Sequence, residues 1–181
     1  SFIFSLVFIY PQSNYFNIVS GNSREIIHAS SLWLSGTPMI NPMAKNRFFL
    51  EVGSSLTLLA NNSYKYPNVD IGMKVTKNLS IINKMYGFKT GDGHPQIMGG
   101  GLQYYFGSGD SLNWSATVQR INLKGLKYFS LSSLSIDLRK WYKLKIFKFR
   151  LGIGSNYFRQ HIFSNTDVLP AVIKGQINYL G

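Results

Sequence analysis

The chain has 181 residues, enough for one domain, and 14% of them are charged, against roughly 25% in an ordinary soluble domain. It contains no cysteine, which excludes disulfides, thiolate chemistry and cysteine-ligated zinc or iron–sulfur centres. Its formal net charge is +12, but the basic residues are spread through the chain and form no nucleic-acid-binding motif. The expected partners are therefore outer-membrane lipid and lipopolysaccharide phosphates, not nucleic acid.

Aromatic residues make up 15% of the chain, and mean hydropathy is close to zero. A bundle of membrane helices would be far more apolar. A transmembrane β-barrel conceals its apolarity in alternation, so a neutral average is what it should show.

The first segment, SFIFSLVFIY followed by Pro11-Gln12-Ser13, is too short to cross a bilayer as a helix and resembles the apolar core of a secretory signal. Residues 1–13 are expected to be a signal-peptide remnant from a start that has been clipped. Residues 14–46 show no sustained period. Within them 24–29 are compatible with a short helix or a strand, and Gly36-Thr37-Pro38 and Asn41-Pro42 break regular structure. An irregular leader, packed against or inside the following domain, is expected here.

From 47 to 181 the chain reads as eight alternating segments, which puts one set of side chains on each face of a sheet. Strands are predicted at 47–59, 69–75, 79–88, 96–106, 112–121, 129–141, 144–158 and 171–180. The third alternates poorly and its faces are unassigned. In the fourth, Gly99-Gly100-Gly101 points to a bend or close approach in a curved wall. The fifth is the cleanest, with Leu112, Trp114, Ala116 and Val118 opposing Asn113, Ser115, Thr117 and Gln119. In the eighth, Ile173, Ile177 and Tyr179 oppose Lys174, Gln176 and Asn178. Short connections (76–78, 107–111, 142–143) are expected to alternate with longer ones (61–68, 89–95, 122–128, 159–170). The fold expected is all-β, an up-and-down antiparallel transmembrane barrel of about eight strands in the outer membrane of a Gram-negative cell envelope.

The polar faces carry Glu51, Lys74, Asp137, Arg139, Lys148, Arg150 and Lys174, which suits an ion-paired lumen with the apolar faces toward lipid. Asp137 and Glu51 are each expected within ion-pair reach of one of those cations. Aromatics gather near strand ends. The stretch holding Trp141, Tyr142, Lys143 and Lys145 mixes rings and amines as a membrane interface does.

Val75-Thr76-Lys77-Asn78-Leu79-Ser80 and Gly101-Leu102-Gln103-Tyr104-Tyr105-Phe106 resemble hairpins of small outer-membrane barrels. The leader from Ser23-Arg24-Glu25 to Asn41-Pro42-Met43-Ala44 resembles the start of the FadL and PorV-like families, in which an Asn-Pro-Ala turn precedes the first strand; Met43 interrupts that turn here. That resemblance implies more than eight strands, with this chain as the first part of a larger barrel. The end, Tyr179-Leu180-Gly181, lacks the terminal aromatic of complete barrels, which also points to truncation.

His28, His94 and His161 have no metal-ligand spacing, and neither a metal, a cofactor nor catalysis is expected. The function expected is a non-enzymatic outer-membrane barrel, structural, adhesive or porin-like as part of a transport barrel. One alternative is a soluble periplasmic barrel binding a small apolar ligand, with Trp114, Val118, Ile136 and Phe149 pointing inward. The other is a lipid A-modifying enzyme built on His161, Ser164 and Asp167. Oligomeric state is left open.

Overall fold

The computed structural model describes residues 23–38, 40, 45–58, 63–107, 112–144, 147–163 and 172–180. One helix, α1 (Ser23–Ser35), precedes β1 (Phe48–Leu58), β2 (Ser63–Lys74), β3 (Leu79–Gly87), β4 (Gly93–Phe106), β5 (Trp114–Leu126), β6 (Phe129–Leu144), β7 (Phe147–Ile162) and β8 (Val172–Leu180). The eight strands form one antiparallel sheet in sequence order, the up-and-down arrangement that the alternation predicts. The signal-like segment and the Asn41-Pro42 turn lie outside the described residues.

Five of the strands, β2, β4, β5, β6 and β7, are longer than predicted, and this removes the expected alternation of connection lengths. β2 begins at Ser63, β5 continues to Leu126 and β7 to Ile162. The connections are consequently 59–62, 75–78, 88–92, 107–113, 127–128, 145–146 and 163–171, with no short–long rhythm. The polar residues assigned to loops are strand residues with one wet face, which period-two reading underweights when Gly and Asn are frequent.

Alternation decides the faces. The inner face meets α1, and the outer face exposes Phe48, Leu50, Val52, Ile71, Met73, Ile81, Met85, Met98, Leu102, Val118, Ile136, Leu138, Leu151 and Ile153. Val118 and Ile136 are direct cross-strand partners on that outer face, and Leu102 is Val118's partner on β4. The apolar belt shifts between strands. On β4 it runs from Met98 to Phe106, whereas on β5 it stops at Val118, before exposed Arg120. A belt that cuts obliquely across the hydrogen-bonded rows is what tilted strands produce. β3 resists sequence reading because each face is mixed. Ser80, Ile82 and Lys84 are buried inside, while Ile81, Asn83 and Met85 are exposed.

β8 is inverted relative to the sequence expectation. Lys174, Gln176 and Asn178 lie on the exposed face, and Ile173 and Ile177 pack toward the core. The register explains this, since Ile177 pairs with Asn156 and Ile173 with Gln160, both fully buried. At this end the inner wall must cover the apolar side of α1, so the apolar face of β8 turns inward.

The sheet is not closed: among the described residues β1 pairs only with β2 and β8 only with β7. It curves around α1, which packs against β1 as well as β5, β6 and β7. Size accounts for the missing closure. The interior of an eight-strand ring just holds side chains, whereas a helix with its side chains is roughly 10–12 Å across.

Curvature is also written in the glycines. A Cβ on Gly101 would stand 2.2 Å from the Val118 carbonyl oxygen and 2.5 Å from the Gln119 Cβ. Gly154 and Gly175 lie beneath the rings of their cross-strand partners Tyr179 and Phe158. Gly101→Ala is expected to cost about 1–3 kcal/mol in urea unfolding as β4 and β5 are pushed apart. Gly53→Ala, where a Cβ meets nothing within 4 Å, should stay within about 0.5 kcal/mol of the parent.

Candidate functional site: a polar lumen filled by a helix

A helix of 13 residues is marginal alone in water, so α1 depends on its packing. Its buried positions are Ile26, Ile27, Ala29, Ser30, Ser31, Trp33, Leu34 and Ser35. The small residues Ala29, Ser30 and Ser31 let the helix approach the wall closely. Ile26, Ile27, Trp33 and Leu34 share one core with Ile97, Ile121, Leu123, Leu126, Phe129, Leu131, Phe158 and Ile162. Trp33 stacks on Tyr66 at 4.5 Å, and its indole Nε1 donates to the Pro67 carbonyl at 2.9 Å.

The wall changes character along the helix. Toward the helix C-terminus its lining is polar, and it satisfies carbonyls that a helix end leaves open. The Gln119 amide nitrogen lies 3.2, 3.0 and 3.0 Å from the carbonyl oxygens of Leu34, Ser35 and Gly36. Its two hydrogens are thus shared among three acceptors. Asn156 Nδ2 donates to the Ser31 carbonyl at 2.8 Å. Arg150 donates from Nη1 to Pro38 O and from Nη2 to Thr37 O, both at 2.8 Å, and its guanidinium lies 5.7 Å from the centre of the Trp141 ring. A cation beyond a helix C-terminus also opposes the negative end of the helix dipole. Past this clamp Ile40 packs in a second cluster with Ile82, Tyr105 and Leu112.

Ion pairs stand on the inner face. Asp137 meets Arg139 Nε at 3.3 Å, as the sequence predicts. Asp70 meets Lys84 Nζ at 2.7 Å, with side chains 1% and 2% exposed. Asn68 completes that set, donating to Asp70 Oδ2 and accepting from Lys84, each at 2.9 Å. The set lies just past the end of the β2–β3 ladder at Ile71↔Asn83. Together with Tyr86, whose hydroxyl donates to Pro67 O at 2.9 Å, it joins the two strands by side chains.

The predicted site residues fall into three groups. Glu51, Lys74, Asp137, Arg139 and Arg150 belong to the inner face, Glu51 directly opposite Asp70. Lys174 does not; it is exposed on the outer face for the register reason given above. Lys145 and the side chains of Lys143 and Lys148 lie outside the described residues. Of the expected interface group, Tyr142 is on the outer face, but Trp141 shares the inner row with Arg150, its partner on β7. The outer cluster at this rim is instead Tyr104, Phe106, Trp114, Lys140 and Tyr142. Phe106 and Trp114 stack at 6.2 Å, and Lys140 Nζ lies 5.2 and 5.5 Å from the Trp114 and Tyr142 ring centres. His161 faces Ser130 across strands, and no carboxylate lines the surrounding groove among the described residues. Ser164 and Asp167 lie outside the described residues.

Sequence reading missed Lys84, Gln119 and Asn156. Lys84 sits in the strand whose faces could not be assigned, and amides on a polar face carry no pattern that separates a clamp from a solvated surface. No family model matches the chain, and no curated protein or solved structure is significantly similar to it. The likeness of the leader to FadL and PorV-like proteins therefore brings no residue roles with it.

Two measurements follow from this geometry. With no native cysteine, Ala29→Cys reports on helix release through maleimide labelling. Adding Arg150→Met, which removes two charge-assisted hydrogen bonds worth about 1.5–3 kcal/mol each, should accelerate labelling at least tenfold. Lys84→Met should cost about 3–5 kcal/mol in urea unfolding by leaving Asp70 buried and unpaired, with much of the loss recovered in the Lys84→Met/Asp70→Leu double variant.

Proposed function

We propose that the chain forms part of the wall of an outer-membrane β-barrel whose lumen is closed by its own helix α1, and that it serves as a plugged conduit with no catalytic role. One observation carries this reading. The sheet carries an exposed apolar belt on its outer face, while the inner face around the C-terminal end of α1 is polar, which is not what a soluble barrel holding an apolar ligand would show. Val52 is 66% and Ile136 53% exposed on the outer face, while Gln103, Gln119 and Asn156 are at most 2% exposed on the inner one. In water such a belt would be a large aggregation hazard, whereas in a bilayer it is the solvated surface.

The size of the lumen favours a wall of more than eight strands. Known cans that house a central helix have about eleven. With β1 and β8 unpaired on their outer edges among the described residues, added strands or another chain would complete the ring. The plug is held by hydrogen bonds from Gln119, Asn156 and Arg150 at its C-terminal end, bonds that water can replace, which suits a plug that can shift.

The protein is expected in the outer-membrane fraction, resistant to urea extraction, with heat-modifiable gel migration. Ile136→Arg at mid-belt should lower folding stability in vesicles by about 2–4 kcal/mol, the cost of a midplane arginine on a lipid face. Recovery of a soluble protein indifferent to that substitution would reject the reading.

A further inference from the structure

Below the belt the outer face of β5–β8 holds a groove with a cavity of about 610 Å³. Four cations line it: Arg120, Lys124, Arg159 and Lys174, all exposed. Arg159 and Lys174 are direct cross-strand partners. Like charges placed opposite one another destabilise a sheet. No carboxylate among the described lining residues offsets them, and Asp70 and Asp137 belong to the inner face. The row continues through Ser132, opposite Arg159, to Asn122, opposite Ser132 and accepting its hydroxyl proton at 2.8 Å, so a polar row extends across four strands with the Asn122 amide N–H at its β5 end. An anion would convert this repulsion into a set of charge-assisted hydrogen bonds.

The groove is amphipathic. Its belt-side edge is formed by Leu134 and Tyr157, cross-strand partners, and the apolar surface continues through Ile136 and Val118. A free anion has no use for that edge, whereas a lipid does. We propose that this groove binds the phosphate headgroup of an anionic membrane lipid, its acyl chains lying along Leu134, Ile136 and Val118. The site rests on the membrane-barrel reading. Arg159 and Lys174 hold the phosphate, Arg120 and Lys124 flank it on β5, and Asn122, whose Oδ1 accepts from the Ser132 hydroxyl at 2.8 Å, offers its amide N–H to the headgroup.

The test uses the chain together with the strands or partner chain that complete its ring, folded into vesicles of phosphatidylcholine with a minor share of phosphatidylglycerol. After a urea wash and mild detergent extraction, the lipid retained by the protein is quantified by mass spectrometry. The parent should retain phosphatidylglycerol well above its share in the bilayer. Arg159→Gln/Lys174→Gln should lower that enrichment by about tenfold or more, since each basic group near an anionic surface is a several-fold effect. Lys45→Gln/Lys89→Gln, an equal charge change at exposed positions elsewhere, should leave it unchanged. If the first pair fails to fold, judged by heat-modifiable migration, Arg120→Gln/Lys124→Gln replaces it with the same expectation. Insertion with no enrichment, or an equal loss in the control pair, overturns the lipid site alone. So does displacement of the lipid by inorganic phosphate, or preferential retention of an oligonucleotide. Failure of the parent to enter vesicles overturns the barrel reading and the site together.

Discussion

The arrangement depends on α1 being held inside the sheet. A helix enclosed by a β-wall needs apolar contact along its length and hydrogen-bond donors at its C-terminal end. The wall supplies these at different heights. Leu123, Leu126, Phe129, Leu131, Phe158 and Ile162 share one core with Ile26, Ile27, Trp33 and Leu34, and Gln119 and Arg150 donate to the carbonyls from Leu34 to Pro38. The inner face is therefore neither a plain aqueous lining nor a plain core. This division also explains β8, whose Ile173 and Ile177 pack toward the core rather than the exterior.

Enclosing a helix has a geometric consequence. Eight strands bent into a ring leave room for side chains, and the same strands bent around a helix leave an opening. The inner glycines allow the necessary curvature, Gly101 by admitting the backbone of β5 and Gly154 and Gly175 by accepting aromatic rings from the neighbouring strand. Where the β2–β3 ladder stops, the buried Lys84–Asp70–Asn68 set and the Tyr86 hydroxyl join the strands instead. Such a pair adds little net stability over an apolar replacement, but losing one member is costly. It fixes the relation of two strands that backbone bonds no longer hold.

The outer face divides into three zones. An aromatic and cationic cluster around Trp114 and Lys140 marks one rim, the apolar belt follows, and the basic groove of β5–β8 lies beyond it. In the membrane reading these correspond to an interface, a hydrocarbon layer and a region of lipid phosphate.

The sequence by itself determined the class of fold, the number and order of strands, and which side of most strands is apolar. Period-two alternation is a local property that survives without knowledge of neighbours, as in β5, where Val118 is exposed and Thr117 and Gln119 are buried. It also placed Asp137 beside Arg139, two residues apart on one face. Only the tertiary structure decided the rest. The 24–29 stretch was compatible with helix or strand until the wall offered a helix-sized space. Lys174 changed sides because a strand's orientation is set by what its neighbours must cover, not by its own polarity, and Trp141 lies inside by the same alternation that places Asp137 and Arg139 there. Gln119, Asn156 and Lys84 became anchors only through partners 85, 125 and 16 residues away in the chain. The basic groove arises because three strands, β5, β7 and β8, bring together cations that no local pattern links.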